Sequence, residues 1–248
     1  LIDLKSAALE KAKSTIQSSL NEAKDRKIIT EEALQKALSK LKLTTEMKDL
    51  ASCQMVVEAV FEDRDVKINL FKSLENFVTP KCILASNTSS FLVTDLAKDL
   101  KHPERFVGVH YFYHAAKNKL VEIIAGKKTN SIILDQLEAF YRNTDKIPIR
   151  VKDAPGFAVN RFFVPWLNEA TRLYEEGCGS IAFIDEVACK VFQISMGPFG
   201  LMNATGVPIA MHAAQGLADV LGAFYAPSQI LKKQVASGTP WDLTDRKL

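Results

Sequence analysis

The chain carries little net charge: 32 Lys and Arg against 29 Asp and Glu leave a formal +3 over 248 residues. The basic residues are spread rather than clustered, so nothing points to nucleic acid or an anionic membrane surface as partner. Apolar runs are short, Met55 to Phe61 with a Glu inside being among the longest, and far too short to span a bilayer. Cysteine is scarce: Cys53, Cys82, Cys178 and Cys189 show neither C-x-x-C spacing nor accompanying His pairs. That excludes a disulfide framework and a zinc site, leaving reduced thiols in a cytoplasmic type of compartment. No signal or transit peptide, internal repeat or low-complexity segment is visible. The sequence opens at Leu1, without Met, inside what reads as a strand, and is therefore read as truncated at its N-terminus.

What is present is ordinary globular composition, 47% hydrophobic and 25% charged, in a length that suits one large domain or two smaller ones. Leu1-Ile-Asp3 reads as a strand end with Asp3 at its tip. Helical spacing runs from Ser6 to Lys24, and Thr30-Glu-Glu-Ala opens a second helix with Thr30 as N-cap. A short strand is expected over Leu43 to Met47. Met55 to Val60 reads as a buried parallel strand, followed by a helix from Arg64 to Phe77 and a strand at Cys82 to Ala85. A polar loop, Ser86-Asn-Thr-Ser-Ser90, leads to a helix over Val93 to Leu100. Strands around Val107 and Val121, a helix from Ser131 to Asn143 and a strand at Ile147 to Val151 complete an alternation that predicts an α/β unit with a parallel sheet. Asp153-Ala-Pro-Gly156 is turn chemistry, and beyond it only helical patterns appear: Phe157 to Glu176, Phe183 to Phe192, and Ile209 to Gly222. The division expected is a sheet domain over 1–152 and a helical domain over 153–248.

The chemistry centres on Val107-Gly-Val-His-Tyr-Phe-Tyr113 and Lys119-Leu-Val-Glu-Ile-Ile124. If these runs are neighbouring strands, the carboxylate of Glu122 holds one nitrogen of His110 and leaves the other as a general base near neutral pH. On spacing alone two readings stay open: that pair, or a satisfied core histidine beside an edge-strand charge. Asp3, Glu58 with Glu62, the Ser86–Ser90 loop and His110 all fall at strand ends, where open parallel sheets bind ligands. That convergence suits a dinucleotide, with Asp3 on its ribose hydroxyls. The glycine-rich phosphate turn belongs about twenty residues upstream of Asp3, outside this sequence. Gly177-Cys-Gly179-Ser-Ile-Ala182 spells G-x-G-x-x-A but follows a helix, and its glycines read as a helix cap. The Ser86–Ser90 loop and Asn160 are either capping groups or donors aimed at a substrate oxygen.

Taken together, Val57-Glu-Ala-Val60, Ser86-Asn-Thr-Ser-Ser90, Gly108-Val-His-Tyr-Phe112, Lys119-Leu-Val-Glu122 and Val151-Lys-Asp-Ala-Pro-Gly-Phe-Ala-Val-Asn-Arg161 resemble the L-3-hydroxyacyl-CoA dehydrogenase family. Pro165-Trp-Leu-Asn-Glu-Ala170 and Met196-Gly-Pro-Phe199 continue the resemblance, which covers roughly residues 1–225. It implies an α/β Rossmann-type NAD domain, N-terminally truncated without its first βα unit, followed by an all-α domain that forms a homodimer. It implies oxidation of (S)-3-hydroxyacyl-CoA to 3-oxoacyl-CoA, as in fatty-acid β-oxidation, possible fusion to an enoyl-CoA hydratase module, and poor NAD binding without the absent unit. By the same resemblance His110 is the base and Glu122 its orienting carboxylate, while Ser89 and Asn160 bond around the reacting oxygen and thioester. Asp3, Glu62, Lys67 and Ser89 match cofactor contacts; Ser19 matches a CoA contact, and Arg26 stands where the family is usually basic.

The sequence also departs from the family. Tyr113-His114 replaces an Asn-Pro whose Asn helps hold the nicotinamide, so Tyr113 bears on cofactor geometry or substrate range. Gly200 and Asn203 replace acidic residues, Pro208 replaces an Asp, and Trp241-Asp-Leu243 occupies the region of a Lys-x-Gly-x-Gly-Phe-Tyr. A second class of function, a degenerate homologue kept as a structural or dimerisation module, is the alternative these departures raise.

Overall fold

The computed structural model describes residues 1–244. It begins with a helical hairpin, α1 (Ser6–Asp25) and α2 (Glu31–Ser39), the latter capped by Thr30, whose hydroxyl accepts from the Ala33 amide. Ile2 and Thr44 form an isolated parallel bridge. The strand expected over Leu43 to Met47 is no more than that bridge, and Met47–Leu50 turns into a 3₁₀ helix. Then follow β1 (Met55–Glu58), α3 (Arg64–Leu74), β2 (Ile83–Ser86), α4 (Val93–Leu96), β3 (Phe106–Tyr111), β4 (Leu120–Ala125), α5 (Ser131–Asn143) and β5 (Ile147–Lys152). The helix expected over Val93 to Leu100 is thus a single turn.

The strands lie in sequence order, β1-β2-β3-β4-β5. The sheet is mixed rather than parallel, which corrects the expectation: β3 and β4 are antiparallel, and the other neighbours are parallel. The cause is the short connection over residues 112–119, which suits a hairpin and is too short for a crossover. Strand alternation splits the core in two. Leu84, Phe106 and Ile124 face α3 and α4 with Phe71, Leu74, Val93 and Leu96. Val107, Val109, Val121 and Ile123 face Leu137 and Tyr141 of α5. Gly108 belongs on the first face because a Cβ there would lie 2.6 Å from Val93 Cγ2, so α4 packs closely against β3.

After Lys152 the described chain is helical: α6 (Val159–Glu175), α7 (Ile181–Phe192), α8 (Pro198–Thr205), α9 (Val207–Leu221) and α10 (Gln229–Ser237). Leu167, Ile184, Phe199, Met202, Leu231 and Trp241 form its main core. Gly177, at φ +75°, ends α6 with its amide on the Tyr174 carbonyl. Among the described residues no helix is long and apolar enough to cross a membrane.

Candidate active site

The antiparallel register sets His110 directly opposite Glu122, both on the α3/α4 face of the sheet. Glu122 Oε2 lies 2.7 Å from His110 Nδ1. A carboxylate only accepts, so Nδ1 carries the proton and the Nε2 lone pair is left for chemistry. The Glu122 side chain has no solvent exposure and that of His110 only 8%. A buried carboxylate needs all its hydrogen bonds, and Oε1 accepts from the amides of Ala158 (3.0 Å) and Val159 (2.9 Å) at the start of α6. The positive end of that helix favours the charge further. The Phe112 and Phe157 rings stand 4.5 and 5.9 Å from the imidazole.

A second network stands at the carboxyl end of β1. Lys67, on the inner face of α3 and 1% exposed, places Nζ 2.6 Å from Glu58 Oε1 and 3.1 Å from Glu62 Oε2. Glu58 also accepts from the Ser86 hydroxyl (2.6 Å) and the Val60 amide (2.7 Å). Glu62 Oε1 receives the Thr88 hydroxyl and the amides of Ser89 and Ser90, both at 3.1 Å. Asn160 Nδ2 donates to the Ser89 carbonyl at 3.3 Å. The first turn of α6 therefore holds both networks, Glu122 through two amides and the Ser86–Ser90 loop through Asn160.

His110, Glu122, Ser89, Asn160, Glu62 and Lys67 are thus linked through one helix start. Other expected residues stand apart from these bonds. Asp3 is exposed beside the Ile2–Thr44 bridge, its Oδ1 accepting from the Lys5 amide. Ser19 is half-buried on α1, and Arg26, just past its end, pairs with Glu22 at 2.8 Å. Glu22 also pairs with Lys117 of the β3–β4 connection, and the Lys117 ammonium, with Arg26 beside it, holds that carboxyl below its usual range. Tyr113 is exposed on the same connection, its ring 5.8 Å from that of His114.

Sequence reasoning missed two supports. By sequence Glu58 is a strand-end polar group, whereas in the structure it is the buried partner of Lys67; the nine-residue strand-to-helix spacing is the available signal. Asp153 is a turn residue by sequence, yet its carboxylate accepts from the Val93 and Thr94 amides, both at 2.8 Å, and so caps α4.

Comparison with known proteins gives one consistent picture. The family model described as 3-hydroxyacyl-CoA dehydrogenase, NAD binding domain matches residues 1–154, and that described as its C-terminal domain matches residues 156–246. The chain is 35% identical to a mitochondrial hydroxyacyl-coenzyme A dehydrogenase of Sus scrofa, covering 95% of this chain and 78% of that protein. It is 35% identical to the fatty acid oxidation complex subunit alpha of Psychrobacter cryohalolentis, covering 88% of this chain and 30% of that protein. Among solved structures, the (S)-3-hydroxybutyryl-CoA dehydrogenase of Ralstonia eutropha superimposes with a TM-score of 0.89 at 32% identity, over 99% of this chain and 87% of that one.

Proposed function

The chain belongs to the 3-hydroxyacyl-CoA dehydrogenase family, and from that membership we propose that His110 is the general base of an NAD-dependent oxidation of (S)-3-hydroxyacyl-CoA to 3-oxoacyl-CoA. The observation that carries the assignment is the 2.7 Å bond from His110 Nδ1 to a Glu122 whose other oxygen is held by two amides. With Nδ1 engaged, Nε2 takes the proton of the substrate's C3 hydroxyl as the C3–O bond becomes a carbonyl. Glu122 keeps the imidazole in place and balances the imidazolium that forms. Residues 1–152 act as the cofactor domain and 153–248 as the dimerisation domain.

The residues present fit the sugar and nicotinamide end of a dinucleotide. Glu62, 37% exposed, presents a carboxylate at the carboxyl end of a parallel strand, held from beneath by the buried Lys67 ammonium and by the Ser89 amide. These groups, with Asp3 toward the ribose, would hold NAD, which would supply the acceptor for the C3 hydride. Ser89 and Asn160 orient the substrate oxygen and thioester, and Ser19 and Arg26 on the α1 side serve the CoA moiety. Tyr113, on the loop that follows His110, borders the nicotinamide end or the acyl group.

Homodimerisation is supported by apolar surface on the helical region. A groove of about 400 Å³ is lined by Trp166, Leu173, Phe183, Val187, Val191 and Phe192, and Val191 and Phe192 are 66% and 59% exposed. Light scattering should show a dimer, and Phe192→Glu a monomer; a parent that is a clean monomer would sink the proposal. The match to part of a much longer fatty acid oxidation subunit supports association with an enoyl-CoA hydratase module. Four free cysteines support a reducing compartment such as the cytoplasm.

The test of the reaction is NADH oxidation driven by acetoacetyl-CoA. His110→Ala should lower kcat by about 10²–10⁴ while NADH affinity, read by fluorescence titration, holds. A fully active alanine variant would refute the base assignment. NADH affinity with no turnover on acyl-CoAs of several lengths would mean that Tyr113 has changed the substrate, and no NADH affinity at all would favour the scaffold reading.

A further inference from the structure

Between the last strand and α6 the chain makes a turn that local preference does not favour. Gly156 and Phe157 both adopt positive φ, +71° and +49°. The left-handed region is uncommon for a bulky side chain, and residues held there cluster at functional sites. At Gly156 the turn is also tight, since a Cβ would lie 2.8 Å from Leu217 Cδ2 of α9. Phe157 is 6% exposed and belongs to the sheet-side core with Phe71, Val93 and Phe106. Its ring is rooted there and stands 5.9 Å from that of His110. The next two amides, of Ala158 and Val159, are the pair that bind Glu122 Oε1. The start of the segment is fixed as well, by Asp153 on the amides that open α4.

We propose that Phe157 is a positioning residue for the reaction: its buried ring and left-handed turn aim the first amides of α6 at Glu122, so that the helical domain sets the orientation of His110. Neither amide belongs to the sheet that carries the pair. A Phe157 backbone at negative φ would swing both amides away and leave Glu122 Oε1 buried without a donor, which a carboxylate meets by rotating or by taking a proton. Either change alters the bond to His110 Nδ1. The role rests on the reading of His110 and Glu122 as the reacting pair, and the experiment separates the two.

The experiment follows the His110 Nδ1 proton by NMR in the full-length protein, identified as the downfield signal lost in His110→Ala, together with kcat and NADH affinity. Phe157→Ala should shift or broaden that signal and lower kcat on the order of tenfold to a hundredfold, with KM and NADH affinity nearly unchanged, as expected when reacting groups are misplaced rather than removed. Phe157→Leu, which restores an apolar wedge, should recover most of both. A folded Phe157→Ala with the parental signal and kcat overturns the proposal. If Phe157→Ala does not fold, Val159→Pro decides, because it deletes one of the two amides at a first helical position that accepts proline. It must move the same signal, and an unmoved signal overturns the proposal. An active His110→Ala refutes the base assignment; an inactive His110→Ala beside a normal Phe157→Ala refutes only the positioning role.

Discussion

The two regions of the molecule bury different things. Inside the sheet region lie Glu58, Lys67, Arg105, His110 and Glu122, whereas the buried polar residues of the helical region are Asn168, Thr171 and Ser228, all neutral. Both regions expose large apolar side chains by more than half, Leu4, Ile28 and Phe61 before Lys152 and Phe162, Val191, Phe192 and Phe224 after it, but in the helical region Val191 and Phe192 also border the groove. Buried charge is costly unless fully compensated, and here every such group near the carboxyl strand ends has its partner. The two regions thus differ in what they bury: charge around the candidate site in the sheet region, neutral polar groups in the helical region.

The contrast is broken most forcefully at Lys67. Lys67→Met leaves Glu58 buried with its charge uncompensated and should cost about 3–5 kcal/mol, read by urea denaturation; a loss under about 1 kcal/mol would mean that the cluster is not worth more than a surface pair. The matching change in the helical region is Thr171→Val. It removes a hydroxyl that donates to the Asn168 carbonyl and accepts from Ser228. A neutral site of this kind should cost about 1–2 kcal/mol, and an equal loss at the two positions would erase the difference between the regions.

The smallest effect concerns Asp185, the carboxylate that crosses the contrast. Burial pushes its pKa up, against the bonds it receives from the amides of Phe199 and Gly200. A folded-state pKa raised above the unfolded value means stability gained as pH falls and lost as pH rises through the folded pKa. Parent minus Asp185→Asn stability should therefore increase on acidification from neutral pH, levelling below the ordinary carboxylate range. Denaturant midpoints measured across that range check it, and a difference moving the other way contradicts it.

Much of this was legible because it is local. The helix Ser131–Asn143 is found at the expected bounds, since Asn130 caps it and its apolar residues keep phase. His110 sits near the end of one apolar run and Glu122 within a second, and the two runs become neighbouring strands. What was not legible is set by partners distant in sequence. No local side chain caps α8; its first amides are bound by Asp185 of α7, a partner more than ten residues away in sequence. The direction of β4 is equally silent in its residues, because an apolar run reads alike in either sense and only the connection decides. The positive φ of Phe157 carries no signal in its residue type, and the partner of Lys67, Glu58 on β1, lies outside the helical period that placed it inward.

The hairpin register has an evolutionary consequence. His110 and Glu122 are cross-strand partners fixed by main-chain bonds on either side, so side chains at 113–119 can change without moving the pair as long as the length of the loop is kept. A one-residue slip of β3 against β4 would send the two groups to opposite faces of the sheet. Variation that diversifies the substrate is thereby steered to the loop, where Tyr113 and Lys117 stand, while the strands beneath tolerate no shift in phase.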